Sequence, residues 1–124
     1  MNRYFQEVVD AHELIRSWLG DAEAPAEIGE QLLSRFSPAY SMVTPGGALL
    51  DINALTAFFH SQRGARPGLK IAIEDMQIVA ESEIWAIVTY KERQLLPGQS
   101  TTHRFSTAVF ELAADRRVIW RHLH

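Results

Sequence analysis

The hydrophobic period of this chain changes once, at Leu69, and the change restricts the architectures open to it. Up to that point apolar residues recur at three- and four-residue steps, and beyond it they alternate. Three alternating stretches, 69–80, 84–95 and 102–113, exceed the ~5–6 residues of an ordinary strand. Short breaks divide them, at Glu81-Ser82-Glu83, Leu96-Pro97-Gly98-Gln99-Ser100 and Ala114-Asp115-Arg116, and a last strand runs from Val118 to His124. Strands this long with connections this tight form bent hairpins of an antiparallel meander. Helices gathered first and strands afterwards exclude a βαβ repeat and predict an α+β fold.

Between Tyr4 and Leu19 the residues Phe5, Val8, Val9, His12, Leu14, Ile15, Trp18 and Leu19 mark a helix with one buried stripe, ended by Gly20. Pro25 suits the first turn of a second helix, because its missing N–H has no helical partner there. That helix carries Ile28, Leu32, Leu33 and Phe36 and stops before Pro38. Ala39 to Val43, closed by Pro45-Gly46-Gly47, reads as a first strand, and Ala48 to Leu50 as a short extended piece beside it. Asp51 or Asn53 then caps a third helix through Leu55, Phe58 and Phe59, ending around Gly64. The longest loop signal is Arg63 to Gly68.

A chain of 124 residues suits one core, so residues 1–124 are read as one domain. The formal charge of −3, with 12 Lys and Arg scattered along the chain, offers no basic field and predicts no nucleic-acid partner. No apolar run approaches the roughly 18 residues of a membrane span, and the amphipathic N-terminus does not read as a signal peptide. No membrane and a cytoplasmic setting are expected. With 0 cysteines there is no disulfide, thiolate nucleophile or thiolate metal site. A glycine-rich phosphate loop, a nucleophile-elbow serine and a His-Glu-x-x-His helix are absent too, which removes nucleotide, hydrolase and zinc-helix readings.

The order of these elements, a helix pair, a strand ending in Thr44-Pro45-Gly46-Gly47, a capped helix carrying Ala57-Phe58-Phe59, and long strands closing on Ile119-Trp120-Arg121-His122-Leu123-His124, resembles the nuclear transport factor 2-like superfamily over essentially the whole chain. Within it the SnoaL-like and ketosteroid isomerase-like branch and the association domain of calcium/calmodulin-dependent protein kinase look nearest. The resemblance implies a cystatin-like cone, three N-terminal helices packed on a strongly curved antiparallel sheet. The first and third helices would roof a blind pocket, and the sheet's other face would form a homodimer. In isomerase-like relatives the strand end before the Pro-Gly turn carries the carboxylate that moves the proton. Thr44 stands at that position, and a threonine hydroxyl is no general base near neutral pH without an activator.

One residue per strand then sets the inward faces, barring a bulge. The resemblance to the kinase association domain puts Tyr90 at a pocket position, which selects Ala86, Val88, Tyr90 and Glu92. Alternation groups His103, Phe105, Thr107, Val109 and Glu111 on the next strand and Val118, Trp120, His122 and His124 on the last. The expected cone therefore needs Tyr90 and Thr107 on one side of the sheet. Candidate ligand-binding residues are Tyr40, Met42, Thr44, Phe59, Tyr90, Glu92, Phe105, Thr107 and Trp120, with plain core packing the competing reading of the aromatics. Candidate catalytic residues are His103 and His122, either acting with Glu92 as an acid–base pair. His12 and His60 read as amphipathic surface residues, and Arg121 as reaching a subunit interface in preference to pairing with a carboxylate. His122-Leu123-His124 lacks a third fixed ligand, so no metal and no cofactor are expected. The partner these residues suit is a small apolar or amphipathic organic molecule. The function they suggest is to bind it, with proton-transfer catalysis of the isomerase, cyclase or dehydratase kind, or homo-oligomeric assembly, as alternatives.

Overall fold

The computed structural model describes residues 1–124 and is an α+β fold of three helices and six strands. Helix α1 (Arg3–Gly20) is capped by Asn2, whose side chain accepts from the Tyr4 and Phe5 amides at 2.7 and 3.4 Å. Its stripe buries Tyr4, Val8, Ala11, His12 and Leu19. Helix α2 (Ala26–Leu33) follows Pro25. Helix α3 (Ile52–Ser61) starts from Asp51, which accepts from the Ala54 amide at 2.8 Å. None of the helices is long and apolar enough to cross a membrane.

Strands β1 (Phe36–Val43) and β2 (Leu49–Asp51) precede α3, and β3 (Lys70–Glu81), β4 (Trp85–Leu95), β5 (Thr102–Leu112) and β6 (Val118–Leu123) follow it. They form one sheet in the order β2-β1-β6-β5-β4-β3. The expected meander is present, but the sheet is not antiparallel throughout, because β1 and β6 run parallel. Phe36 opens β1 rather than closing α2. Pro38, which has no amide proton for a ladder, falls where pairing with β6 is interrupted between Phe36 and Ser41.

Bulges bend the long strands. Register shifts occur in β3 between Glu74 and Gln77, where Asp75 takes φ 57°, and again between Ile78 and Ala80. Another lies where Val109 and Phe110 of β5 pair with His122 and Trp120 of β6, leaving Arg121 as the extra residue. The curled sheet packs its concave face on α1, and α3 sits over β1 and β2. Trp18 Nε1 donates to the Phe59 carbonyl at 2.7 Å and joins the two roof helices.

The segment after α3 is tied to the end of α1 by the Gly64 and Arg66 amides, which donate to the Trp18 and Leu19 carbonyls at 2.9 and 2.8 Å. Gly64 has φ +68°, and a Cβ there would meet the Ala22 Cα at 2.4 Å, so only glycine lets the loop close against the roof. That closure places Ala65 and Arg66 at the cavity described next.

Candidate functional site

Between the roof and the concave face lies a cavity of ≈ 800 Å³, within the ~300–1,000 Å³ usual for small-molecule sites. Its apolar wall comes from every layer of the fold: Ile15 and Leu19 of α1, Phe36 and Met42 of β1, Leu55 and Phe59 of α3, Trp120 and Leu123 of β6. Nine polar side chains reach it as well. His12 and Glu92 stand within the wall, Tyr40 on β1 and Thr44 just after it, Gln94 and Arg104 on β4 and β5, and Gln62, Arg66 and Gln99 on the turn after α3 and the loops.

His12 and Glu92 form a buried pair, at 5% and 7% exposure, joining the roof helix to the sheet. His12 Nδ1 lies 2.7 Å from the Val8 carbonyl, an acceptor only, so Nδ1 holds a proton. Nε2 then faces Glu92 Oε1 at 3.2 Å, hydrogen-bond distance for a proton held on either atom. Gln94 Nε2 donates to Glu92 Oε2 at 2.6 Å. Burial would lift the Glu92 carboxyl, but the hydrogen bond and charge of His12, helped by Gln94 and Arg104, outweigh it and hold Glu92 below the ordinary carboxylate range. The His12 ring is fixed further by edge contacts with Tyr90 and Trp120, at centroid distances of 5.4 and 6.0 Å.

A second buried carboxylate supports the cavity wall from behind. Glu7 Oε2 accepts from Trp120 Nε1 at 3.0 Å and Oε1 from Arg35 Nη1 at 2.6 Å. Burial pushes the Glu7 carboxyl above its ordinary range, and the hydrogen bonds from Arg35 and Trp120 offset part of that rise. Burial likewise raises the phenols of Tyr40 and Tyr90. Both stay neutral, as donors or apolar surface rather than phenolate bases.

Tyr40, Met42, Thr44, Phe59, Glu92 and Trp120 are brought together on the cavity. Thr44 Oγ1 accepts from the Ala48 amide at 3.0 Å, so part of its bonding capacity goes to holding its own turn. Tyr90 shares their side of the sheet but sits behind His12, 3% exposed, as part of the packed core.

With Tyr90, five expected site residues do not reach the cavity. In the β4–β5 register Tyr90 pairs with Ser106 and Glu92 with Arg104, so the concave face of β5 carries Arg104, Ser106, Ala108 and Phe110. His103, Phe105 and Thr107 point the other way, and Phe105 is 77% exposed. Tyr90 and Thr107 thus face opposite sides of the sheet, against expectation. The hollow is present, but its lining comes from the other residues of β5. His122 leaves by a different route. The extra residue at Arg121 reverses the alternation of β6, turning Trp120 and Leu123 inward and His122 outward, where Nδ1 lies 2.7 Å from Ser41 Oγ. Arg121 itself takes the carboxylate alternative, with Nε 3.4 Å from Glu111 Oε1.

The cavity histidine is His12, expected on the surface, whereas His60 is indeed exposed. Its signal lies in the α1 stripe, since Val8, His12, Ile15 and Leu19 follow one another at four-, three- and four-residue steps. Arg104, Gln94 and Gln99 carry no such signal in the sequence. No three His, Asp or Glu side chains gather as a metal site would need.

No protein-family model matches the chain, and no curated protein matches it. Among solved structures it is similar to an NTF2-like protein of unknown function from Pseudomonas aeruginosa. The TM-score is 0.92 at 37% identity, covering 98% of this chain and 95% of that one. It is also similar to the calcium/calmodulin-dependent protein kinase II hub homology domain of Chlamydomonas reinhardtii, with TM-score 0.72 and 16% identity over 100% of this chain and 96% of that one. The association domain of the same kinase from C. elegans gives TM-score 0.66 and 16% identity, over 98% and 93% of the two chains. These last two likenesses are of fold alone.

Proposed function

The chain belongs to the NTF2-like family, and from that premise we propose that it is a one-domain, SnoaL-like small-molecule-binding protein whose cone encloses an apolar or amphipathic organic molecule. The observation that carries this reading is the ≈ 800 Å³ cavity, with aliphatic and aromatic walls and polar side chains among them. The apolar body of a ligand would lie against Leu55, Phe59 and Trp120, and its polar end toward Glu92, Gln94 and Arg104. A cytoplasmic setting is part of the proposal.

A second reading, a proton-transfer enzyme of the isomerase, cyclase or dehydratase kind, is favoured by the His12–Glu92 pair, an imidazole and a carboxylate at hydrogen-bond distance in the cavity wall. One probe, the neutral ketone tetralone, addresses both readings. Titrated at millimolar concentration into methyl-labelled protein, it should shift the signals of Met42, Leu55 and Leu123, and Leu55→Trp, which fills the space, should remove the shifts. The binding reading fails if those methyls never move. In deuterated water the enzyme reading expects protein-catalysed exchange of the ketone's α-protons that is lost in His12→Gln, and equal exchange in both proteins removes that reading alone.

We also propose that two copies pair through the outer face of the sheet. Trp85, Ile87, Phe105 and Val109 lie on that face by register, with Trp85 38% and Phe105 77% exposed. Light scattering at micromolar concentration should give twice the chain mass, and Phe105→Asp should bring it to one chain without loss of helical signal. A wild-type monomer would end the proposal.

A further inference from the structure

We propose that the molecule held in this cavity carries a carboxylate, received by the Arg104 guanidinium; the proposal rests on the binding reading above and names the chemical class of the ligand. Charge balance is the first argument. The protein carries a formal −3, yet its cavity is lined by two arginines, Arg66 and Arg104, against one carboxylate, Glu92. Glu92 is already satisfied, by His12 on one oxygen and Gln94 on the other, so it does not need Arg104 as its counterion.

The second argument is the bonding of the arginines. Arg16, Arg35, Arg93, Arg117 and Arg121 each have a carboxylate oxygen within 4.0 Å, whereas Arg3 and Arg116 are exposed to solvent and Arg63 stacks over the Trp18 ring. Arg104 has none, and its single hydrogen bond reaches the Val43 carbonyl at 3.4 Å. A guanidinium has five donors in a planar fork that matches a carboxylate with two parallel bonds, so most of the bonding capacity of Arg104 is unused. Arg66, in the loop after α3, repeats the pattern, its Nε buried with no acceptor. Both cations therefore line the cavity without a carboxylate oxygen within 4.0 Å.

The third argument is placement. Arg104 stands directly across the strands from Glu92 on the concave face. Burial dominates the upward shifts of Tyr40 and Tyr90, and the charge of Arg104 opposes both, so it acts inward on the enclosed space. A carboxylate seated on Arg104 leaves its apolar body to lie along Leu55, Phe58 and Phe59.

The test compares phenylbutyrate with phenylbutyramide and phenylbutylamine, which share a tail and differ in the head, by calorimetry on the full chain at fixed salt. The acid should bind about tenfold tighter than the amide or more, as a charge-assisted pair does, and the amine weakest. Arg104→Gln should level acid and amide to within about threefold, chiefly by weakening the acid. Arg104→Lys, which keeps the charge and loses the fork, should retain part of the preference, and it serves if the glutamine variant is poorly folded. Equal binding of acid and amide in the wild type overturns the proposal, as does an acid preference that survives Arg104→Gln. If tetralone binds and none of the three probes does, the carboxylate proposal falls alone. If tetralone fails as well, the binding reading falls with it.

Discussion

Trp120→Ala is expected to lower the unfolding free energy by about 4–8 kcal/mol, enough to abolish folding in a chain whose total stability is of the order of 5–15 kcal/mol. Two losses add. The first is packing: Trp120 is 2% exposed and meets Phe110 at 4.6 Å, Phe36 at 6.0 Å and His12 at 6.0 Å, so its removal empties the centre of the aromatic core. A buried Trp truncated to Ala costs about 3–5 kcal/mol. The second is polar. Glu7 Oε2 loses the indole N–H that reaches it at 3.0 Å, and an unsatisfied buried acceptor costs about 1–3 kcal/mol. Trp120→Phe separates the terms, because it keeps most of the ring and removes the donor, and it should cost about 1–3 kcal/mol. Urea unfolding followed by circular dichroism measures all three proteins. A Trp120→Ala cost below about 2 kcal/mol would mean that the aromatic cluster does not hold the sheet to the roof.

The same residue shows where the sequence was legible and where it stopped being so. The change of period at Leu69 locates all four C-terminal strands, and β3, β4, β5 and β6 end within one residue of the alternating stretches. Periodicity reports which segments are extended because every residue of a long strand votes. Which face turns inward rests on single residues, and on β5 the votes mislead. Phe105, Thr107 and Val109 look as suited to a core as Ser106, Ala108 and Phe110, since one face meets the roof and the other is itself partly apolar. On β6 the alternation is locally broken, and the extra residue is Arg121, with no glycine to advertise it. Trp120 and His122, two apart in sequence, therefore end on opposite faces. His12 lies in the apolar stripe of its helix yet was read as a surface residue, and its partner left no local signal, because Glu92 is 80 residues away and only the curled sheet brings the two within 3.2 Å. Local pattern carries the elements, whereas the site depends on register and on pairs distant in sequence.

The two buried carboxylates should give opposite pH slopes, and their contrast tests the polar side of the site. Glu92 sits below its ordinary range in the folded protein, so its contribution is complete above an unfolded value of about 4.3 and is lost as the pH falls through the folded value. Glu7 is raised, so its contribution is complete below about 4.3 and is lost as the pH rises through the folded value. The stability of wild type minus that of Glu92→Gln should shrink on acidification below about pH 4.3, while wild type minus Glu7→Gln should shrink as the pH rises above it. At neutral pH, Glu92→Leu removes one member of a buried pair and should cost about 3–5 kcal/mol, whereas Glu92→Gln, which keeps the volume and one hydrogen bond to His12, should cost about 1–2 kcal/mol. Urea midpoints collected from acid to neutral pH give every term. Slopes of the same sign for both glutamates would show that Glu92 is not held ionised by His12.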